Sequence, residues 1–140
     1  MKVAIGCDHG GIDLKDTVVS VLTELGHEID DQGCHSADSV DYPNFAKSVS
    51  VLVKEGKCGC GILICGTGIG MSMAANRTPG IRAALCNEMF AAKMSREHND
   101  ANILCLGARV IGPGLAAEIV RTWMTSEFAG GRHQRRIDMF

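Results

Sequence analysis

An apolar run ends in cysteine and is followed by three glycines in five residues: Gly61-Ile62-Leu63-Ile64-Cys65-Gly66-Thr67-Gly68-Ile69-Gly70. Glycines let a backbone turn sharply and approach a ligand closely. Their N–H groups, at the start of a helix, can face an oxyanion. The spacing rejects two familiar phosphate sites. Counted from Gly66, the GxGxxG dinucleotide pattern meets Met71 where its last glycine belongs, and no Gly-Lys-Ser/Thr follows for a P-loop. A tight strand–helix turn without a ligand also accounts for the glycines. Cys65 closes the strand beside this loop, near a helix N-terminus, where a thiolate is favoured. A thiolate can act as nucleophile or general base. The competing reading is a small buried apolar residue, the common fate of cysteine.

Four other groups have side chains suited to chemistry. Asp8-His9 follows the first apolar run. Its imidazole can hold a phosphate or shuttle a proton, and its carboxylate can accept from hydroxyl groups, unless it merely caps the next helix. His98-Asn99 lies between a helix and the fifth strand, where a histidine can move a proton at a ring oxygen or simply face a helix dipole. Arg109 follows the fifth strand in Gly107-Ala108-Arg109, with a plain surface role as its alternative. Arg132 and Arg136 are four apart and share a face if helical. Paired guanidiniums suit a phosphate dianion, although an ordinary basic tail has the same composition.

The elements that must position these residues follow from periodicity. Residues 2–7 read as a short buried strand. Leu14, Val18, Leu22 and Leu25 recur at helical spacing, and Gly26 stops that helix. Residues 27–31 form a second strand and 33–41 a loop. Tyr42-Pro43 opens the next helix, with Phe45, Val49 and Leu52 inward and Gly56 at its end. Residues 61–65 are continuously apolar, as in the centre of a parallel sheet. Then come a helix over 71–76, a strand over 81–85, a helix over 88–97 and a strand over 102–106. Leu115, Ile119 and Trp123 stripe a long helix, and the tail from Gly130 forms a last short one. Strand and helix alternate five times. This predicts a single three-layer α/β/α, Rossmann-like domain over 1–140 with a five-stranded parallel sheet. Ligands in such sheets bind beyond the carboxyl ends of the strands, which singles out Asp8, His9, Cys65 to Gly70, Asn87 and Arg109.

Composition narrows the function classes. At 140 residues the chain suits one domain, so any site needing more walls must borrow them from another subunit. A net charge of -2, from 14 basic and 16 acidic residues, argues against a nucleic-acid surface. The end of the chain is locally basic, with Arg132, His133, Arg135 and Arg136 against Asp138. No apolar run approaches the length of a membrane span, and no signal-like segment precedes the first strand. Seven cysteines, an odd number, fit a reducing cytoplasm. Cys58-Gly59-Cys60 is the only close pair and has no second half for zinc, so no metal is expected.

Several segments together carry a resemblance over essentially the full length: Gly6-Cys7-Asp8-His9, Asp41-Tyr42-Pro43, the 61–70 run, Gly80-Ile81-Arg82-Ala83, Ser95 to Asn102, and Gly130-Gly131-Arg132-His133. On these the chain resembles the ribose-5-phosphate isomerase B family, which also takes in allose-6-phosphate and galactose-6-phosphate isomerases. The resemblance implies a cofactor-free aldose–ketose isomerase, and a dimer or tetramer with sites shared between subunits. It implies that Cys65 is the base between C2 and C1, that Thr67 and the N–H groups of Gly66, Gly68, Ile69 and Gly70 stabilise the enediolate, and that His98 helps open the sugar ring. Asp8 and Asn99 would bind sugar hydroxyls, and Tyr42 would line the pocket. His9, Arg132 and Arg136 would hold the phosphate, with Arg109 in the same polar shell. Some relatives carry a glutamate just after the glycine loop. Met71 stands there, which implies the cysteine type.

Two readings from other classes compete. A non-catalytic phosphate-binding module explains the glycine loop and basic tail but leaves Cys65 and His98 without roles. A thiol-dependent hydrolase uses both but must cleave a bond. Among the isomerases, pentose and hexose phosphates remain alternatives.

Overall fold

The computed structural model describes residues 1–140. Five strands, β1 (Lys2–Cys7), β2 (Glu28–Asp31), β3 (Cys60–Cys65), β4 (Ala83–Leu85) and β5 (Ile103–Gly107), form one parallel sheet in the order β2-β1-β3-β5-β4. The helices between and after them are α1 (Ile12–Glu24), α2 (Tyr42–Lys54), α3 (Ile69–Ala75), α4 (Met89–Glu97), α5 (Pro113–Thr125) and α6 (Arg132–Ile137). Helices α1, α4 and α5 pack on one face, and α2 and α3 on the other. The three-layer sheet expected from the alternating pattern is therefore present. No helix is long and apolar enough to cross a membrane.

Burial follows the sheet order. The inner strands β1, β3 and β5 are almost wholly buried, because helices cover both faces. The edge strand β2 is Glu-Ile-Asp-Asp, and Lys2 pairs with Asp30 at 2.9 Å across its outer part. The other edge, β4, has only three residues. Asn76 covers it, accepting the Ala83 N–H at 2.8 Å and donating to the Ala83 carbonyl at 2.9 Å. A side-chain amide thus stands in for a neighbouring strand and blunts the edge against pairing with other chains. Trp123 is the largest fully buried side chain. Its indole N–H donates to Ser95 Oγ at 3.2 Å, joining α5 to α4. Truncating it to Ala would cost about 3–5 kcal/mol.

Several boundaries shift from the periodicity, each for a local reason. Helix α3 starts at Ile69 and not Met71, because Gly68 turns the chain at φ 76° and Thr67 Oγ1 accepts the Ile69 N–H at 3.3 Å. Strand β4 starts at Ala83 and not Ile81, because Ile81 N–H closes a turn onto the Thr78 carbonyl and Arg82 N–H goes to Asn102 Oδ1. In α5 the buried stripe is Ala116, Ile119, Val120 and Trp123, while Leu115 faces outward in the first turn.

Candidate active site

The chain leaves β1 toward β2 on one side and β3 toward β4 on the other. The adjacent carboxyl ends of β1 and β3 therefore flank a topological switch point, where open α/β sheets bind ligands. The two turns that follow touch there: a Cβ on Gly10 would lie 3.2 Å from the Gly66 nitrogen. Cys65 ends β3, is 5% exposed, and its Sγ accepts the Gly68 N–H at 3.0 Å. Gly68 is required twice over. Its φ is positive, and a Cβ would meet Leu85 Cδ1 at 2.5 Å. The N–H groups of Gly66, Thr67 and Gly70 make no hydrogen bond within the chain, so the loop presents free donors beside the sulfur. The ring of Tyr42 lies over Gly70, where a Cβ would be 2.6 Å from Tyr42 Cζ.

Asp8 and His9 are both partly used by the fold. Asp8 is 7% exposed, and its Oδ1 accepts the N–H groups of Gly10 and Gly11 at 2.9 and 3.1 Å. Oδ1 thus closes the turn before α1, whose N-cap Gly11 takes no side-chain cap, so the capping alternative does not hold; Oδ2 makes no hydrogen bond within the chain. His9 Nδ1 accepts the Val40 N–H at 3.2 Å. An amide can only donate, so the proton of that imidazole sits on Nε2, which becomes a donor for an anion. The 33–41 loop that reaches His9 is anchored by Lys15, whose Nζ donates to Asp31 Oδ2 and to the Cys34 carbonyl, both at 2.8 Å. Burial would raise the Asp31 carboxyl. The Lys15 ammonium and the Gly33 N–H outweigh it and hold the group below its ordinary value. Arg109 is exposed, lies against Gly66 at 3.4 Å from a Cβ there, and has no carboxylate partner.

The remaining predicted residues stand elsewhere. His98 caps the end of α4 and Asn99 follows it. Because α4 runs antiparallel to the strands, both lie at the amino end of the sheet. The five residues of β5, at about 3.3 Å each, separate this end from Cys65 by roughly 15 Å. Helix α6 reaches the same end: the His98 and His133 rings stack with centroids 4.1 Å apart and planes 8° from parallel. Arg132 and Arg136 flank His133, are exposed, and have no carboxylate partner. Burial, then His98 and then the two guanidiniums push the His133 imidazole below its ordinary value. His133 was not among the predicted site residues. The pattern Arg132-His133 was visible in the tail, but 35 residues separate it from His98 and no spacing rule links them.

One chain therefore carries two separate clusters. Asp8, His9, Tyr42, Cys65 to Gly70 and Arg109 meet at the carboxyl end; His98, Asn99, Arg132 and Arg136 gather at the amino end. No cavity of the chain has Cys65 in its wall. A cavity of about 600 Å³ lies instead along β4, with Arg82, Asn99 and Phe140 among its walls, at the second cluster. Among the other thiols, burial pushes Cys60 up to about 11 and Cys7 to about 12, and raises Cys105 too.

Fold and loop together define a parallel α/β protein whose glycine loop offers free N–H donors beyond the end of a central strand. Residues 3–140 match the family described as Ribose/Galactose Isomerase, and the chain belongs to that family. It is 48% identical to ribose-5-phosphate isomerase B of Escherichia coli, over 98% of this chain and 92% of that one. It is 41% identical to a D-erythrulose-4-phosphate isomerase of Pectobacterium atrosepticum, over 99% and 91%. The structure of Clostridium thermocellum ribose-5-phosphate isomerase B superposes with a TM-score of 0.98 at 55% identity, covering 99% of this chain and 94% of the other.

Proposed function

We propose that the chain interconverts ribose 5-phosphate and ribulose 5-phosphate, with Cys65 as the base that moves the proton between C2 and C1. The observation that carries this reading is the Cys65 sulfur, held by the Gly68 N–H at 3.0 Å in a loop where the Gly66, Thr67 and Gly70 N–H groups are free. The thiolate takes the proton from C2 of the open aldose. The electron pair moves into a C1–C2 enediolate, the O2 hydroxyl proton passes to O1, and the thiol returns its proton to C1 as the carbonyl forms at C2. No electrons leave the sugar, so the balance calls for no redox cofactor. Charge develops on the sugar oxygens during the transfer, where the Thr67 hydroxyl and the free loop N–H groups meet it. The open Oδ2 of Asp8 accepts a hydroxyl, and Tyr42 walls the pocket over Gly70. The Nε2–H of His9 and the guanidinium of Arg109 face the phosphate, whose binding positions the carbons that react.

His98 and Asn99 enter this scheme from a second copy of the chain, together with Arg132 and Arg136. The separation of roughly 15 Å between the two clusters supports a homodimer with shared sites. His98 then moves the proton that opens the furanose ring, Asn99 binds a hydroxyl, and the two arginines complete the phosphate site. The seven free thiols suit the cytoplasm.

The test is kcat/KM on metal-free protein for ribose 5-phosphate beside erythrulose, allose and galactose phosphates, with solvent deuterium incorporation followed in the same reactions. A preference for ribose 5-phosphate with label entering the product supports the reading. A preference for a four- or six-carbon phosphate keeps the chemistry and changes the substrate. No label in any sugar overturns it.

A further inference from the structure

Three sulfur atoms converge at the amino end of the sheet, outside both clusters. Cys60 opens β3, and its Sγ lies 4.0 Å from Met1 Sδ and 4.0 Å from Met124 Sδ. The three come from distant parts of the chain: the residue before β1, the start of β3 and the last turn of α5. Met1 is 64% exposed, yet its side chain folds back over the sheet, since a Cβ on Gly59 would sit 2.9 Å from its Sδ. The sulfurs wall a cavity of about 60 Å³, completed by Gly59, Arg96 and Trp123. About 10–15 Å³ already holds a water molecule. Methionines often fill gaps in a core, but here they leave a gap open between them and a thiol.

We propose that Cys60, Met1 and Met124 form a binding site for a soft monovalent cation, Cu(I) or Ag(I). One thiolate and two thioethers make a soft donor set that selects such ions. The wall offers no carboxylate and no imidazole, so neither hard cations nor a tetrahedral zinc site are served. The distances from Cys60 fit as well: an ion about 2.3 Å from two sulfurs at trigonal corners keeps them about 4 Å apart, the spacing of Cys60 Sγ from each methionine sulfur. On binding, the Cys60 S–H bond breaks, a sulfur–metal bond forms and the proton passes to solvent, with no change of oxidation state. Thiolate and cation then cancel, which leaves a neutral pair in a buried place. The exposed Met1 side chain supplies the way in.

The test uses the full chain carrying ¹³C-methyl methionine, titrated with one equivalent of Ag(I) in chloride-free buffer. The methyl signals of Met1 and Met124 are expected to shift, and those of the other five of the 7 methionines to stay. Met124→Leu conserves volume and removes one sulfur; it should weaken Cu(I) affinity about tenfold or more in competition with a chromophoric chelator. Cys60→Ser should abolish the methyl shifts. The proposal is overturned if Met124→Leu binds as tightly as the parent protein, or if the Met71 and Met73 signals move in place of Met1 and Met124, which would put the ion at Cys65.

Discussion

At the carboxyl end of the sheet the functional groups are held by backbone, whereas at the amino end they stand on side chains of helix termini. Cys65 Sγ, Asp8 Oδ1 and His9 Nδ1 each bond a main-chain N–H, within turns fixed by strand ends. His98 is held by a stacked ring and the chain end, and Arg132 and Arg136 are exposed and without carboxylate partners. The difference matches the two tasks of the proposed isomerisation. Proton transfer at carbon needs sub-ångström placement, which buried strand ends supply. Phosphate capture needs charge and reach, which arginines on a terminal helix supply.

The largest expected effect isolates the carboxyl end. Cys65→Ala should lower kcat by about 10³-fold or more, with the melting temperature and substrate binding retained. Turnover close to the parent's would remove the cysteine from the mechanism. Mixing two inactive variants tests the separation of the ends. Co-refolded Cys65→Ala and His98→Asn chains should recover about a quarter of full activity, because half of randomly paired dimers carry one intact site of two. No recovery would mean that each chain completes its own site. Arg136→Ala should raise KM roughly 10- to 100-fold with little change in kcat. An unchanged KM would leave α6 outside the phosphate site.

Smaller effects sharpen the contrast. Gly68→Ala forces a side chain into a left-handed position against Leu85, and thermal unfolding should show a loss of about 1–3 kcal/mol. The His98–His133 stack should show in pH dependence. His133 is held below its ordinary value when folded, so the unfolded chain binds that proton more readily. Its contribution to stability is therefore present above the ordinary histidine value near 6.5 and lost as pH falls through the lower folded value. His133→Gln should flatten the fall in melting temperature between neutral and mildly acid pH. An identical slope in both proteins would show that the stack carries no charge penalty.

Most of the carboxyl end was legible in the sequence because each group there follows a strand directly. The apolar run 61–65 declares a central strand, and the residues after it must lie at its carboxyl edge. The same rule placed Asp8, His9 and Arg109. What it could not reveal was that Asp8 spends one oxygen on its own turn, or that Val40 fixes the proton on His9. Both depend on how loops return to the strand ends, which no periodicity records.

Alternation of strand and helix, glycine placement and residue chemistry thus determined the sheet, the glycine loop and the candidate base. Only the tertiary structure put His98 and the arginines at the far end of the strands, stacked His133 on His98, and brought Met1 and Met124 to Cys60. Hydrophobic period reports which face of an element is buried. It carries no distance between elements 35 or 60 residues apart, and those distances are set by the packing of the whole sheet.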